Sequence, residues 1–484
     1  MKRPTISRNF KNSIANFLDV FLYPVLFFVF TPFFIDRLGE KSFGVWILVN
    51  SIMISMQVFN LGLGTAVLKN VAKYLGSGEK IKIVSTINTN FSLSCIIHLV
   101  CILAGAFLGV GIRYFSFFNI ESEFVNLASA GAMLGGVMVG FKFYEQIISY
   151  TFKAFERFDI AAFINSGIRL AILFVNILLV YLGYGLLILL VVNILFSLVG
   201  VFIGFVMIKS YLPDFKFRLQ LTKANVSKEL TFALWTWFQS LAIIITFQFD
   251  RFFVVTEMGL KTLTYYGLVA TMFNHIHMGF NSIVPWLAPK ITKMQARGRD
   301  VTELYYRSRN ISLLLGLSAL MVFSLVNVPV FRALLDDEKF SNTQSFIEMF
   351  TLFELFFVYA IVPGYFLNAA GHEKLYFKVV LFYCGCIITG MLTGYYLLHN
   401  ATGLLAGMIV ATAITMIVQN QIINNIIFKQ KGITDSLQLF SPVFVIALMV
   451  ITTNPYLKAG LFTLSVVVLY TVFIKVYQLK FSRE

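Results

Sequence analysis

Charged side chains are scarce in this chain, and the few that interrupt its apolar runs are where chemistry would have to happen. Arg169 is the clearest. It lies ten residues beyond Asp159, about 15 Å along a helix, in the run IAAFINSGIRLAILFVNILLVYL. A guanidinium does not lose its proton in a protein, so at that depth it must meet an acid in a permanent ion pair or an anionic ligand. Its stripe also holds Asn165 and Asn176, which can both donate and accept hydrogen bonds. Three carboxylates stand in comparable runs: Asp19, Asp250 and Glu354. A carboxylate at the centre of a bilayer costs roughly 3 kcal/mol on insertion scales. Each therefore needs a partner, a proton or water, which makes the three candidates for taking up a coupling ion. For Asp19 a neighbouring helix that simply satisfies the carboxylate is the alternative. Asp250 stands beside Arg251 near the outer end of its run, an interfacial position, and Glu348 precedes Glu354 nearer the outer side.

Polar stripes accompany these charges. Asn12, Asn16, Asp19 and Tyr23 recur on one helical face, as do Asn50, Met53, Gln57 and Asn60. Thr236, Gln239, Ile243, Thr246 and Asp250 form another stripe, and Asn274, His277 and Asn281 a further one. Lys142, beside Glu145 and Gln146, is either inside the membrane or reaches its surface. His98 is either hydrogen-bonded within the bundle or a proton carrier. Asn16, Asn50, Gln57, Lys142, Asn165, Arg169, Gln239, His277 and Asn281 are thus the candidate cavity residues. No P-loop, HExxH, GxSxG or acid-rich metal cluster occurs in the sequence. The expectation is a protein that is not an enzyme, with no catalytic residues, no cofactor and no metal.

The elements that must position these residues follow from composition. With 58% hydrophobic and only 13% charged residues, the chain reads as an integral membrane protein. Fourteen apolar runs are long enough to consider as spans: 13–35, 43–66, 88–111, 124–148, 160–182, 185–208, 230–254, 264–286, 311–332, 346–368, 376–398, 402–427, 438–453 and 459–477. The thirteenth is short, which leaves twelve as an alternative. Unbroken runs, rather than residues alternating in period two, exclude an outer-membrane barrel. If the N-terminus is inside, about three quarters of the lysines and arginines fall on the cytoplasmic side. Both termini are then cytoplasmic, and the net charge of +15 reports topology rather than nucleic-acid binding. MKRPTISRNFK is not followed by a small-residue cleavage site, so the first helix is retained. The four cysteines fall inside spans and read as packing residues.

The chain also repeats itself. Leu68 to Lys80 (LKNVAKYLGSGEK) aligns without gaps with Ala288 to Asp300 (APKITKMQARGRD), placing Gly78 opposite Gly298. Tyr150 to Asp159 (YTFKAFERFD) aligns with Tyr365 to Lys374 (YFLNAAGHEK). This divides the chain into an N-lobe of six helices (1–208), a basic cytoplasmic linker (209–229), a C-lobe of six helices (230–430) and two extra helices with a tail (431–484). Six crossings per half relate the halves by an axis along the membrane normal. Their polar stripes would face one another across a cleft, and rocking the halves would give alternating access. No outer loop exceeds about fifteen residues, too little for the catalytic acids of a membrane glycosyltransferase or polymerase.

RLGEKSFGVW (Arg37 to Trp46), NLGLGTAVLKNVAKYLGSGE (Asn60 to Glu79), FKAFERFDIAAFIN (Phe152 to Asn165) and LNAAGHEK (Leu367 to Lys374) resemble the polysaccharide-transporter branch, the O-antigen (Wzx-type) flippases, of the multidrug/oligosaccharidyl-lipid/polysaccharide (MOP) exporter superfamily. The resemblance runs from about residue 10 to 430. It implies an all-α polytopic membrane protein with a V-shaped, two-lobed MATE-like bundle, in the bacterial inner membrane. It further implies a flippase that moves an undecaprenyl-pyrophosphate-linked oligosaccharide, an O-antigen or capsule unit, from the cytoplasmic to the periplasmic leaflet. A proton or sodium ion would drive it, and polymerase and chain-length proteins of the same pathway would be partners besides membrane lipid. By helix and depth Asp19 matches the acidic residue that relatives place in the first helix. A cation-coupled multidrug exporter of the same fold is the alternative function.

Overall fold

The computed structural model describes the backbone at residues 8–60, 62–221, 223–282, 284, 286–295, 297–428, 433–452 and 454–476. Within that backbone, the side chains at 8–21, 223–236, 288–289, 293, 433–438, 455 and 475–476 are outside the described set. No strand occurs among the described residues. Eleven helical stretches among them are long and apolar enough to cross a membrane, with a shorter apolar helix at Leu439–Ile451. The protein is a multi-pass helical membrane protein.

Contacts divide the chain into two compact units, Met1–Thr264 and Tyr265–Glu484. The first holds α1 (Arg8–Leu38), α2 (Glu40–Met56), α3 (Leu63–Gly76), α4 (Lys80–Tyr114), α5 (Ser122–Ala154), α6 (Phe158–Tyr181), α7 (Leu186–Tyr211) and most of α8 (Lys223–Asn281). Its core gathers Val67, Val71 and Tyr74 of α3, Ile87 and Phe91 of α4, Phe152 of α5 and Ile164 of α6, all buried. The run 43–66 is therefore not one helix. A 3-10 turn at Gln57–Asn60 and Gly62, at φ 70° and ψ 18°, end α2 and start α3. The basic elbow that follows is itself an amphipathic helix: Val67, Val71 and Tyr74, spaced i, i+4 and i+7, face the core, while Lys69 and Lys73 are exposed.

Runs 230–254 and 264–286 are the two arms of α8, separated between them by Gly259 (φ 79°, ψ −179°), a backbone region open essentially to glycine alone. The linker is anchored to α4. Asn88 donates through Nδ2 to the Lys216 carbonyl (3.0 Å), and Ser92 Oγ accepts from the Gln220 amide (2.8 Å). Helices α4 and α5 meet through small residues: a Cβ at Gly136 would lie 2.4 Å from the Cys101 carbonyl oxygen, and one at Gly105 2.8 Å from that of Ala132.

The second unit holds the end of α8, α9 (Leu287–Gln295), α10 (Thr302–Leu334), α11 (Asp337–Phe357), α12 (Ile361–Ala369), α13 (Glu373–Leu398), α14 (Ala401–Ile422), α15 (Ile433–Ile451) and α16 (Pro455–Leu469). Helices α13 and α14 pack backbone to backbone, and a Cβ at Gly407 would stand 1.8 Å from the Gly390 oxygen.

The repeat is written into the backbone. Left-handed or related positive-φ residues pair at one spacing: Gly39 (86°) with Gly259 (79°), and Gly78 (73°) with Gly298 (66°). At a slightly shorter spacing Glu156 (56°) matches Gly371 (81°), and Gly183 (85°) matches His399 (51°). Buried polar positions recur too, Asn90 against Asn310 and Ser92 against Ser312.

Candidate functional site

Two sequence candidates from different stripes meet in the second unit. Glu354, one turn from the end of α11, is 1% exposed, and His277, near the end of α8, brings Nδ1 to 2.7 Å from its Oε1. The Phe357 ring lies over the imidazole at 4.2 Å and 24°. Phe353 and Tyr383 extend this aromatic wall, each stacked on Phe357. A contact this short needs a hydrogen between the two groups, and with one proton shared the buried pair carries no net charge. The arrangement can hold or release a proton inside an apolar helical bundle.

In the first unit Arg169 is exposed on α6. Among the described residues no carboxylate forms an ion pair with it. Asn165, one turn earlier, donates to Ser149 Oγ of α5 at 3.0 Å. Asn50 spends its amide on the Trp46 carbonyl of its own helix (2.9 Å), and Gln57 is exposed on the 3-10 turn. Lys142 does not extend alone towards a surface: its Nζ pairs with Glu145 Oε2 at 2.8 Å, and Glu145 is buried. Gln239 and Asp250 are buried on α8, and Asn281 is half-buried at its end. Asn16 and Asp19 lie outside the described side chains. His98 is bonded to the Val137 carbonyl at 3.0 Å and fills the space above Gly140, where a Cβ would fall 1.7 Å from its ring.

Sequence reasoning missed two guanidinium groups. Arg309, just before the run 311–332, is 2% exposed on α10. Its Nη1 bonds Asn420 Oδ1 of α14 (2.9 Å), its Nε bonds Asn310 Oδ1 (3.1 Å), and the group lies 4.9 Å from the Tyr306 ring. The signal was present in Tyr305, Arg309, Ser312 and Gly316, a stripe at helical spacing whose members are all buried. Arg251, read as interfacial with Asp250, is 6% exposed and its Nη1 stands 3.3 Å from Gln248 Oε1.

Apolar spanning helices with a buried titratable pair and small-residue helix contacts define a polytopic membrane protein. The chain belongs to the family described as polysaccharide biosynthesis protein, whose pattern matches residues 10–295, more than half of its length. Its fold is that of the MOP superfamily. It is similar to an inward closed conformation of the lipid II flippase MurJ (TM-score 0.68, 14% identity, 97% of this chain and 99% of that one). It is also similar to an inward-facing multidrug resistance MATE transporter of the superfamily (0.63, 14%, 84% and 92%). A further likeness is to a MOP superfamily transporter from Pyrococcus furiosus (0.56, 13%, 85% and 93%), whose binding pocket is described as reversed in polarity. Among curated proteins none matches the sequence.

Proposed function

We propose that the chain is a flippase that carries an undecaprenyl-pyrophosphate-linked oligosaccharide, an O-antigen or capsule repeat unit, from the cytoplasmic to the periplasmic leaflet of a bacterial inner membrane. The observation that carries the reading is membership of a polysaccharide-biosynthesis family on a fold shared with a lipid II flippase. The lipid tail stays in the bilayer and the charged, sugar-bearing head crosses. Arg169, exposed and without a carboxylate partner among the described residues, supplies positive charge for the pyrophosphate. Of the candidate coupling residues Glu354 has the best support, because its carboxylate is enclosed and bonded to a second titratable group, His277. Proton uptake at this pair during the return step would couple transport to the proton gradient. Asp19 and Asp250 are the other candidates.

The test is a strain of the source organism lacking the gene. Complete lipid-linked repeat units should accumulate, open to cytoplasmic reagents only, while surface polysaccharide disappears, and the wild-type gene should reverse both. Normal surface polysaccharide with no trapped intermediate, in a strain with no second flippase, would reject the reading. Efflux of cationic dyes would then be measured instead.

A further inference from the structure

Glu145 is 9% exposed, and its two carboxylate oxygens are treated differently. Oε2 accepts from Lys142 Nζ of the same helix at 2.8 Å, whereas Oε1 is buried and receives no hydrogen bond. A carboxylate oxygen withdrawn from water is normally given a donor. The unused oxygen marks a place that a donor can take in another state of the protein.

Helix register shows which donor. Lys142, Glu145 and Ser149, at i, i+3 and i+7, share one face of α5, and Ser149 Oγ accepts from Asn165 of α6 at 3.0 Å. Only the short turn 155–157 joins the two helices, so they run antiparallel. One turn beyond that hydrogen bond, about 6 Å along each helix and away from the connecting turn, Glu145 and Arg169 come level. Arg169 is exposed, and among the described residues it forms no ion pair. The acid of α6 itself, Asp159, lies about 15 Å lower along the helix, and Arg157 holds it at 2.9 and 2.8 Å. Lys142 thus anchors one oxygen of the carboxylate, and Arg169 stands at its level on the neighbouring helix.

We propose that Glu145 is an internal competitor of the anionic head for Arg169, a residue that sets how tightly a diphosphate is held so that it can be let go. The inference rests on the flippase reading, in which Arg169 meets the pyrophosphate. A guanidinium with no rival would hold two adjacent phosphates tightly, and a carrier, like a channel, needs binding weak enough for its cargo to leave. With the head absent, Arg169 turns to Oε1. The arriving head takes Arg169 back, and Lys142 keeps the carboxylate paired through Oε2. A purely structural ion pair behaves otherwise: losing either member leaves the other buried and uncompensated, so both losses act in one direction. Competition for Arg169 makes them act in opposite directions.

The test uses the purified full chain in detergent with farnesyl diphosphate as the probe, and reads Kd by calorimetry. Glu145→Gln, which keeps the size of the side chain, should bind at least fivefold more tightly than wild type. Lys142→Gln, which frees the carboxylate to follow Arg169, should bind at least fivefold more weakly. Unchanged or weaker binding by Glu145→Gln, or unchanged or tighter binding by Lys142→Gln, overturns the competition. If a single variant does not fold, the double variant Lys142→Gln/Glu145→Gln leaves neither charge of the pair buried alone. It should still bind more tightly than wild type, and equal or weaker binding overturns the proposal. In proteoliposome transport Glu145→Gln should lower KM and kcat together, because the head is held after it has crossed; a wild-type kcat overturns the role in release. Arg169→Gln tests the underlying reading separately. If it binds as well as wild type, the head does not meet Arg169 and that reading fails; if it loses binding while Glu145→Gln changes nothing, the competition alone is rejected.

Discussion

A carboxylate that is 1% exposed is satisfied by what touches it or not at all, and Glu354 is touched by His277. Removing one partner of a buried pair leaves the other uncompensated, a loss of about 3–5 kcal/mol where the pair is structural. Glu354→Gln keeps the shape and a hydrogen bond to the ring, so it separates the roles. We expect the folded variant to reach the membrane while transport drops at least tenfold and loses its dependence on external pH; normal transport in a cell-based assay would remove Glu354 from coupling. Gly140→Ala is a contrasting case at the same scale. It forces the His98 ring from its place, and overpacking of this kind costs about 1–3 kcal/mol, which should appear as a lower melting temperature in detergent with the transport mechanism intact. Glu354, His277 and His98 were each legible in the sequence as a polar interruption of an apolar run. The pairing of His277 with Glu354 was not, because partners on different helices leave no mark in the periodicity of either. Arg309 was hidden for a related reason: its stripe is visible only once α10 is known to begin at Thr302.

Among the elements, backbone conformation carries information that apolar runs do not. The runs were found as helices or parts of helices where the chain is described; the run 43–66 is broken within itself at Gly62, while the turn at Gly259 falls in the gap between the runs 230–254 and 264–286. Hydropathy averages over such single residues, whereas a positive φ makes them decisive. Gly259→Val should cost about 1–3 kcal/mol of backbone strain, measurable as a fall in thermal stability. Gly407→Leu should be worse, since it drives α13 and α14 apart where their backbones touch. A loss of folded protein in the membrane is the expected readout, and unchanged expression and melting would show that the contact is not needed. The repeat, proposed from two short alignments, gains from the elements what sequence alone could not give: matched positive-φ turns at Gly39 and Gly259 and at Gly78 and Gly298.

For the whole molecule, membership of the polysaccharide-biosynthesis family and the MOP fold agree with the composition, the spans and the motifs that first suggested both. Orientation rests on lysine and arginine distribution. Reporter fusions at the C-terminus should be active only for a cytoplasmic reporter, and activity of a periplasmic one would invert the topology and with it the direction assigned to transport. Substrate was the least legible property, because an oligosaccharide is bound by Asn, Gln and Tyr side chains that also serve helix packing, as Asn50 and Asn88 do here. The most direct measurement is therefore made on the purified chain in liposomes loaded with a polyprenyl-pyrophosphate oligosaccharide in both leaflets, with a membrane-impermeant glycosidase outside. The flippase account predicts that protein makes the inner pool accessible, faster when a proton gradient is imposed, and that Glu354→Gln abolishes the acceleration. An inner pool as protected with protein as without it would contradict the account.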